Sequence, residues 1–183
     1  MSDDIKLIAI VGMPGAGKSI AASFFKAKGL PVLRFGDQTD IGLKELGLPL
    51  TEANERQYRE GLRRDLGMAA MAIKIDSRIQ KALEKSSTVV LDGLYSWEEY
   101  VYLKEGYPSI ELLCIFARPE IRYKRLGHRP VRPLGMKEAE GRDYAEIESL
   151  NKGGPIARAD YMIINEGTEE EFHEQLETYY SSI

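Results

Sequence analysis

Residues 6–19 read KLIAIVGMPGAGKS. Lys6 to Val11 is an apolar run of strand length that stops at a turn rich in glycine and proline. The residues that follow, Gly12-Met13-Pro14-Gly15-Ala16-Gly17-Lys18-Ser19, satisfy G-x-x-x-x-G-K-[ST] at every fixed position. The chemistry behind that spacing is direct. Glycines let backbone N–H groups converge on phosphate oxygens with no Cβ in the way. A helix predicted from Gly17 to Lys28 turns its positive N-terminus to the same anion. Lys18 then reaches the β- and γ-phosphates of a nucleotide, and the Ser19 hydroxyl is placed to ligate Mg²⁺. A glycine-rich turn with no ligand is the competing reading. The strand before it and the helix after it favour a phosphate cradle.

Outward from this loop, short apolar strands alternate with amphipathic stretches. Strands are predicted at Pro31–Phe35, Thr88–Leu91, Ile110–Ala117 and Tyr161–Asn165. The first helix should bury Ile20, Ala21, Phe24 and Phe25 and end at Gly29. A short helix up to Gly47, a charged stretch from Thr51 to Leu66 and an Ala/Met/Ile-rich helix from Gly67 to Glu84 come next. Thr168 with Glu171 forms a capping box for a last helix reaching Tyr180. This alternation specifies an α/β, three-layer fold with a five-stranded parallel sheet. The stretch from Pro119 to Gly154 has helices but no strand, and reads as a helical lid insert. The expected organisation is one domain over 1–183. Its core is 1–117 and 155–183, its acceptor-binding region about 37–67, and its lid about 118–154.

Composition narrows the function classes. The chain has 183 residues, 43% hydrophobic and 30% charged, which supplies a real core and excludes a disordered or fibrous chain. No apolar run is long enough to span a bilayer. The N-terminal Met-Ser-Asp-Asp is acidic, unlike a secretory or mitochondrial leader. Cys114 stands alone and is expected in the core, which suits a cytoplasmic protein. His128, His173 and Cys114 make no zinc-ligand spacing. The net charge of −4 argues against nucleic acid as a partner. Yet from Arg118 to Arg142 eight basic residues face three acids, which marks a site for a small anion.

Four groups of residues carry chemistry. The loop Gly12 to Ser19 is the first. Asp92, with Gly93, ends the third predicted strand at the rim where open α/β sheets bind ligands, and is placed to join Ser19 around Mg²⁺. Arg118, Arg122, Arg125 and Arg129 recur at helical spacing from Pro119, a stripe suited to the charge on a transferring phosphoryl group, and Arg142 sits on the next helix. Arg56, Arg59 and Arg63 share a helix face and can clamp a second anion, with pairing to Glu52, Glu55 and Glu60 as the alternative.

In order, GMPGAGKS, LRFGD, LRRDLG, LDGLYS, ARPEIRYKRL, GRD and ADYMIINEG resemble the P-loop nucleotide kinases, the superfamily of adenylate kinase and dephospho-CoA kinase. The resemblance implies an ATP-binding core and Mg²⁺. It also implies an acceptor region using Arg59 and Arg63, and a lid whose Arg125, Arg129 and Arg142 act with Lys18 on the phosphoryl group. Asn165 and Gly167 fall near the adenine ring. Adenylate kinases usually follow the strand-ending Asp-Gly with an arginine on the acceptor phosphate, where this chain has Leu94-Tyr95-Ser96. Asp37 resembles the acid that dephospho-CoA kinases place beside a ribose hydroxyl. The expected function is ATP-dependent transfer to a small nucleotide-like acceptor such as a nucleoside monophosphate. Transfer to a ribose hydroxyl, or nucleotide binding with a regulatory role and no transfer, are the alternatives. A switch GTPase would need N-K-x-D, and Asn151-Lys152-Gly153-Gly154 lacks the Asp.

Overall fold

All five apolar runs become strands of a single parallel sheet in the computed structural model, which describes residues 5–183. The strands are β1 (Lys6–Val11), β2 (Val32–Arg34), β3 (Thr88–Asp92), β4 (Glu111–Phe116) and β5 (Tyr161–Ile164), in spatial order β2-β3-β1-β4-β5. Register aligns their carboxyl ends: Ile10 pairs with Asp92, Arg34 with Asp92, Val11 with Cys114 and Phe116 with Ile164. From β1 the order runs outward in both directions, so the chain leaving Val11 emerges at a topological switch point, the crevice where such sheets bind ligands.

Strand periodicity sorts the core into two layers. Leu7, Ala9, Leu91 and Cys114 face α4 (Ala70–Leu83) and α5 (Trp97–Gly106); Ile8, Ile10, Leu113 and Ile163 face α1 (Lys18–Ala27) and α9 (Glu169–Tyr180). Cys114 is a free, fully buried thiol, as expected. The segment expected to bind an acceptor holds two helices, α2 (Asp37–Glu45) and α3 (Glu52–Leu66). Between β4 and β5 lie α6 (Pro119–Gly127), α7 (Met136–Glu148) and α8 (Gly153–Ala157). Among the described residues no helix is long and apolar enough to cross a membrane. The acidic start, Met1 to Asp4, lies outside the described residues.

Several expectations change. α4 begins at Ala70, because Gly67 at φ 78° ends α3. Ile20 is exposed rather than buried, as α1 turns that side to the ligand crevice. The arginine stripe dissolves: Arg118 is the residue before α6, Arg129 lies beyond its last turn, and Arg122 points inward. Two helices went unpredicted. α5 was signalled by Ser96 and Glu99, which form a reciprocal capping box. α8 is one short turn around Gly153-Gly154-Pro155, packed against α5 and β4, and carries no sequence periodicity.

Candidate active site

The loop after β1 is built so that its carbonyls point away from the crevice. Lys18 Nζ donates to Gly12 O (2.8 Å) and Met13 O (3.1 Å). Arg122 Nη1 donates to Pro14 O at 3.1 Å, and Asn165 Nδ2 to Ala16 O at 2.8 Å. The amides of Gly15, Gly17, Lys18 and Ser19 are left with no acceptor among the described residues, at the N-terminus of α1. That is an anion nest. Its glycines are required twice over. Gly15 and Gly17 sit at φ 80° and 110°, and a Cβ on Gly17 would stand 2.3 Å from Asn165 Nδ2.

Asp92 closes the other side of the crevice. Burial raises its carboxyl pKa, while the Lys18 and Arg34 charges pull it down. Lys18 is held at about 7, first by burial and then by repulsion from Lys152, with Glu146 and Asp92 opposing and Arg142 adding to the fall. A cation so depressed lacks its anion. The free amides, the Lys18 ammonium, the exposed Ser19 hydroxyl and the Asp92 carboxylate that acts on Lys18 therefore fit a Mg²⁺-polyphosphate, with Ser19 and Asp92 as the groups that could hold the metal.

The lid arginines divide by role. Arg122 is buried and bidentate on Asp143, with Nη1–Oδ1 at 3.0 Å and Nη2–Oδ2 at 2.5 Å; it also donates to Ala117 O. It is a bolt between α6, α7 and the loop rather than a phosphate ligand. Arg118 pairs with Glu166 at 2.9 Å. Arg125 donates to Asn165 O at 2.9 Å and to Asn165 Oδ1 at 3.4 Å, so it sets the side chain that caps the loop. Arg129 has no carboxylate within pairing distance among the described residues. A cleft of about 330 Å³ lies between Gly15, Gly17, Arg125, Arg129, Asn165 and Gly167, on the side of the nest expected to take a base. Arg142 donates to Glu146 at 3.0 Å.

On the acceptor side, Arg56 is paired with Glu60, and Arg59 with Glu55 and Glu52. Arg63 has no such pair among the described residues, and its Nε is buried without a partner. Asp37 is not a free base: Arg78 holds it at 3.2 Å and Arg34 lies 3.9 Å away.

Comparison with known proteins bears on the family and the fold. A family model described as an AAA domain, AAA_18, matches residues 8–151. A UPF0200 protein of Thermococcus gammatolerans is 33% identical over 181 residues, covering 97% of this chain and 95% of that protein. The chain belongs to the UPF0200 family. Among solved structures, TT1252 from Thermus thermophilus matches with a TM-score of 0.67 at 19% identity, over 98% of each chain. Shikimate kinase from Bacteroides thetaiotaomicron matches at 0.61 and 12% identity, over 97% of each. This UPF0200 chain therefore has a P-loop kinase-like α/β fold.

Three further side chains that were not candidate ligands from the sequence meet at the site. Lys152, one of the most buried residues of this UPF0200 chain, donates to Glu146 and stands 4.5 Å over the Tyr95 ring. Glu146 takes both Lys152 and Arg142. Tyr95, in the stretch without an arginine, packs on Gly93 at the end of β3. A lysine in an Asn-Lys-Gly-Gly turn carries no one-dimensional signal of burial. Only the fold of α7 back over the crevice brings it there.

Proposed function

We propose that the protein is an ATP-dependent kinase that transfers the γ-phosphoryl group to a small, nucleotide-like acceptor bearing a phosphate, as a nucleoside monophosphate does. One observation carries this reading: a nest of free amides at the head of α1, next to Lys18, stands near the Asp92 carboxylate and within reach of the Arg142 and Lys152 charges. The amides of Gly15, Gly17, Lys18 and Ser19 hold the β- and γ-phosphates, and Asn165 and Gly167 line the cleft that takes the base. Ser19 and Asp92 would hold Mg²⁺, which when bound would supply positive charge against the phosphate oxygens. Lys18 then follows the γ-phosphoryl as its bond to the β-phosphate oxygen breaks and one to the acceptor oxygen forms, leaving ADP. Arg129 and Arg142 approach from residues 118–154, which act as a lid that excludes water and so limits hydrolysis.

The acceptor binds between α3 and the end of β3, with Arg63 as the cation on its phosphate, Arg59 beside it and Asp92-Gly93 below. The pairing of Asp37 with Arg78 favours this over transfer to a hydroxyl, which benefits from a free base; a phosphate is already an anion and needs none. Asp37 instead fixes the α2 end of the acceptor region.

The test is a coupled ADP-release screen over nucleoside monophosphates, nucleosides and dephospho-CoA with Mg²⁺-ATP. Turnover is expected with a monophosphate, and Lys18→Ala should abolish it while the melting temperature in the absence of nucleotide holds. Activity confined to a hydroxyl acceptor, and lost in Asp37→Asn, would replace the acceptor assignment. ATP binding with no turnover on any acceptor would leave the regulatory reading.

A further inference from the structure

Lys152 is 1% exposed, in a part of the fold where a cation needs a reason. A buried ammonium is stable only when paired. Its partner Glu146 is not its own, because Arg142 Nε donates to the same carboxylate at 3.0 Å. Two cations thus share a single anion. The Lys152 Nζ also lies 4.5 Å from the centre of the Tyr95 ring, a face that stabilises a cation without neutralising it. Tyr95 in turn abuts the backbone that follows Asp92; a Cβ on Gly93 would sit 3.3 Å from its Cε2. Lys152 is therefore suspended between α7 and the carboxyl end of β3, on the side of the crevice opposite Arg125. Its charge is felt at the phosphate loop, where it is the largest influence after burial in holding the Lys18 pKa down.

We propose that Lys152 is a catalytic residue: its ammonium exchanges Glu146 for the γ-phosphoryl oxygens when ATP binds, and grips the phosphoryl group from the β3 side during transfer. This rests on the kinase reading above. The exchange does not strand Glu146, because Arg142 keeps its hydrogen bond. It also restores the balance of the site, since the incoming phosphates supply the anions that Lys18 and Lys152 lack in common. A lysine suits the role. Its compact ammonium has three donors and turns between acceptors on a flexible stem, whereas a guanidinium is fixed by its planar fork. The Tyr95 ring supports the ammonium in either position.

The experiment compares the affinities of ADP and the β,γ-methylene analogue of ATP, each with Mg²⁺, by titration calorimetry. Wild type is expected to bind the triphosphate more tightly, and Lys152→Met to lose about 10- to 100-fold of that preference, the scale of a charge-assisted hydrogen bond. A purely structural lysine would weaken both nucleotides alike or neither, leaving the ratio unchanged, and that result overturns the proposal. Because Lys152→Met also removes one of the two cations on a buried carboxylate, Glu146→Gln is measured beside it. Removing the competing anion should raise the triphosphate preference severalfold, and an unchanged or lower preference also counts against the role. Failure of the wild-type protein to bind either nucleotide would overturn the kinase reading itself. Normal binding of both, with a ratio indifferent to Lys152 and Glu146, would overturn only the assignment of Lys152.

Discussion

Lys18 shows how a single residue couples the site to pH. Free of ligand its pKa is about 7, because burial and the nearby Lys152 charge disfavour the ammonium. A polyphosphate favours that ammonium and raises the pKa in the complex. Below pH 7 Lys18 is protonated both before and after binding, so its contribution to affinity is complete. Above pH 7 the free protein must take up a proton to bind, and affinity should fall by up to about tenfold per pH unit until the pKa of the complex is reached. Calorimetry at pH 8 in buffers of different ionisation heat should therefore find an uptake approaching one proton per ATP analogue bound. Flat affinity from pH 7 to 9 with no uptake would mean that phosphate does not meet Lys18. The loop motif that names Lys18 is legible in the sequence; its depressed pKa is not, since it comes first from burial in the fold and then from Lys152 and Arg142, more than a hundred positions away.

At the scale of elements, the pairing of α6 with α7 decides what the lid arginines can do. Arg122 sits in a pocket with Asp143, Pro14 O and Ala117 O, and Tyr123 adds a hydrogen bond to Asp143 at 3.1 Å. Breaking a buried pair from one side leaves an uncompensated charge, which costs about 3–5 kcal/mol. Arg122→Met should lower unfolding stability by that amount in urea, and Asp143→Leu added to it should recover part of the loss. A phosphate-binding arginine would behave in the opposite way, weakening nucleotide binding with little effect on stability. Spacing alone put Arg122 in one stripe with Arg125 and Arg129, because helical periodicity marks which residues share a face but not whether that face is covered. The same limit explains Asp37, where Arg78 arrives from α4. The strands, by contrast, are readable nearly to the residue, since each is a short apolar run that stops at or within two residues of a glycine or a charge. α5 was missed although its capping box stood in the sequence, because its apolar residues lack a helical stripe.

In the whole molecule, an ion-pair cluster joins the two flanks of the crevice. Arg132, at φ 52° in the turn between α6 and α7, pairs with Glu52 at 2.9 Å and with Glu55 at 3.7 Å, and Arg59 of α3 reaches the same two carboxylates. The 118–154 segment is thereby tied to the acceptor region by charges that are mostly exposed. Such pairs contribute about 0–1 kcal/mol and are screened by salt, too little to hold the flanks shut but enough to bias them. A shallow tie leaves the flanks free to part and close, whereas a deep one would slow their opening. Arg132→Ala should hardly change the melting temperature. It should, however, speed amide hydrogen exchange in the turn from Arg129 to Leu134 and in the first turn of α3 together. Raising salt to 0.5 M should have the same effect on wild type and none on the variant. Exchange that rises on one flank alone, or salt sensitivity that persists without Arg132, would show that the flanks move independently. The glutamates would then serve only to occupy Arg59.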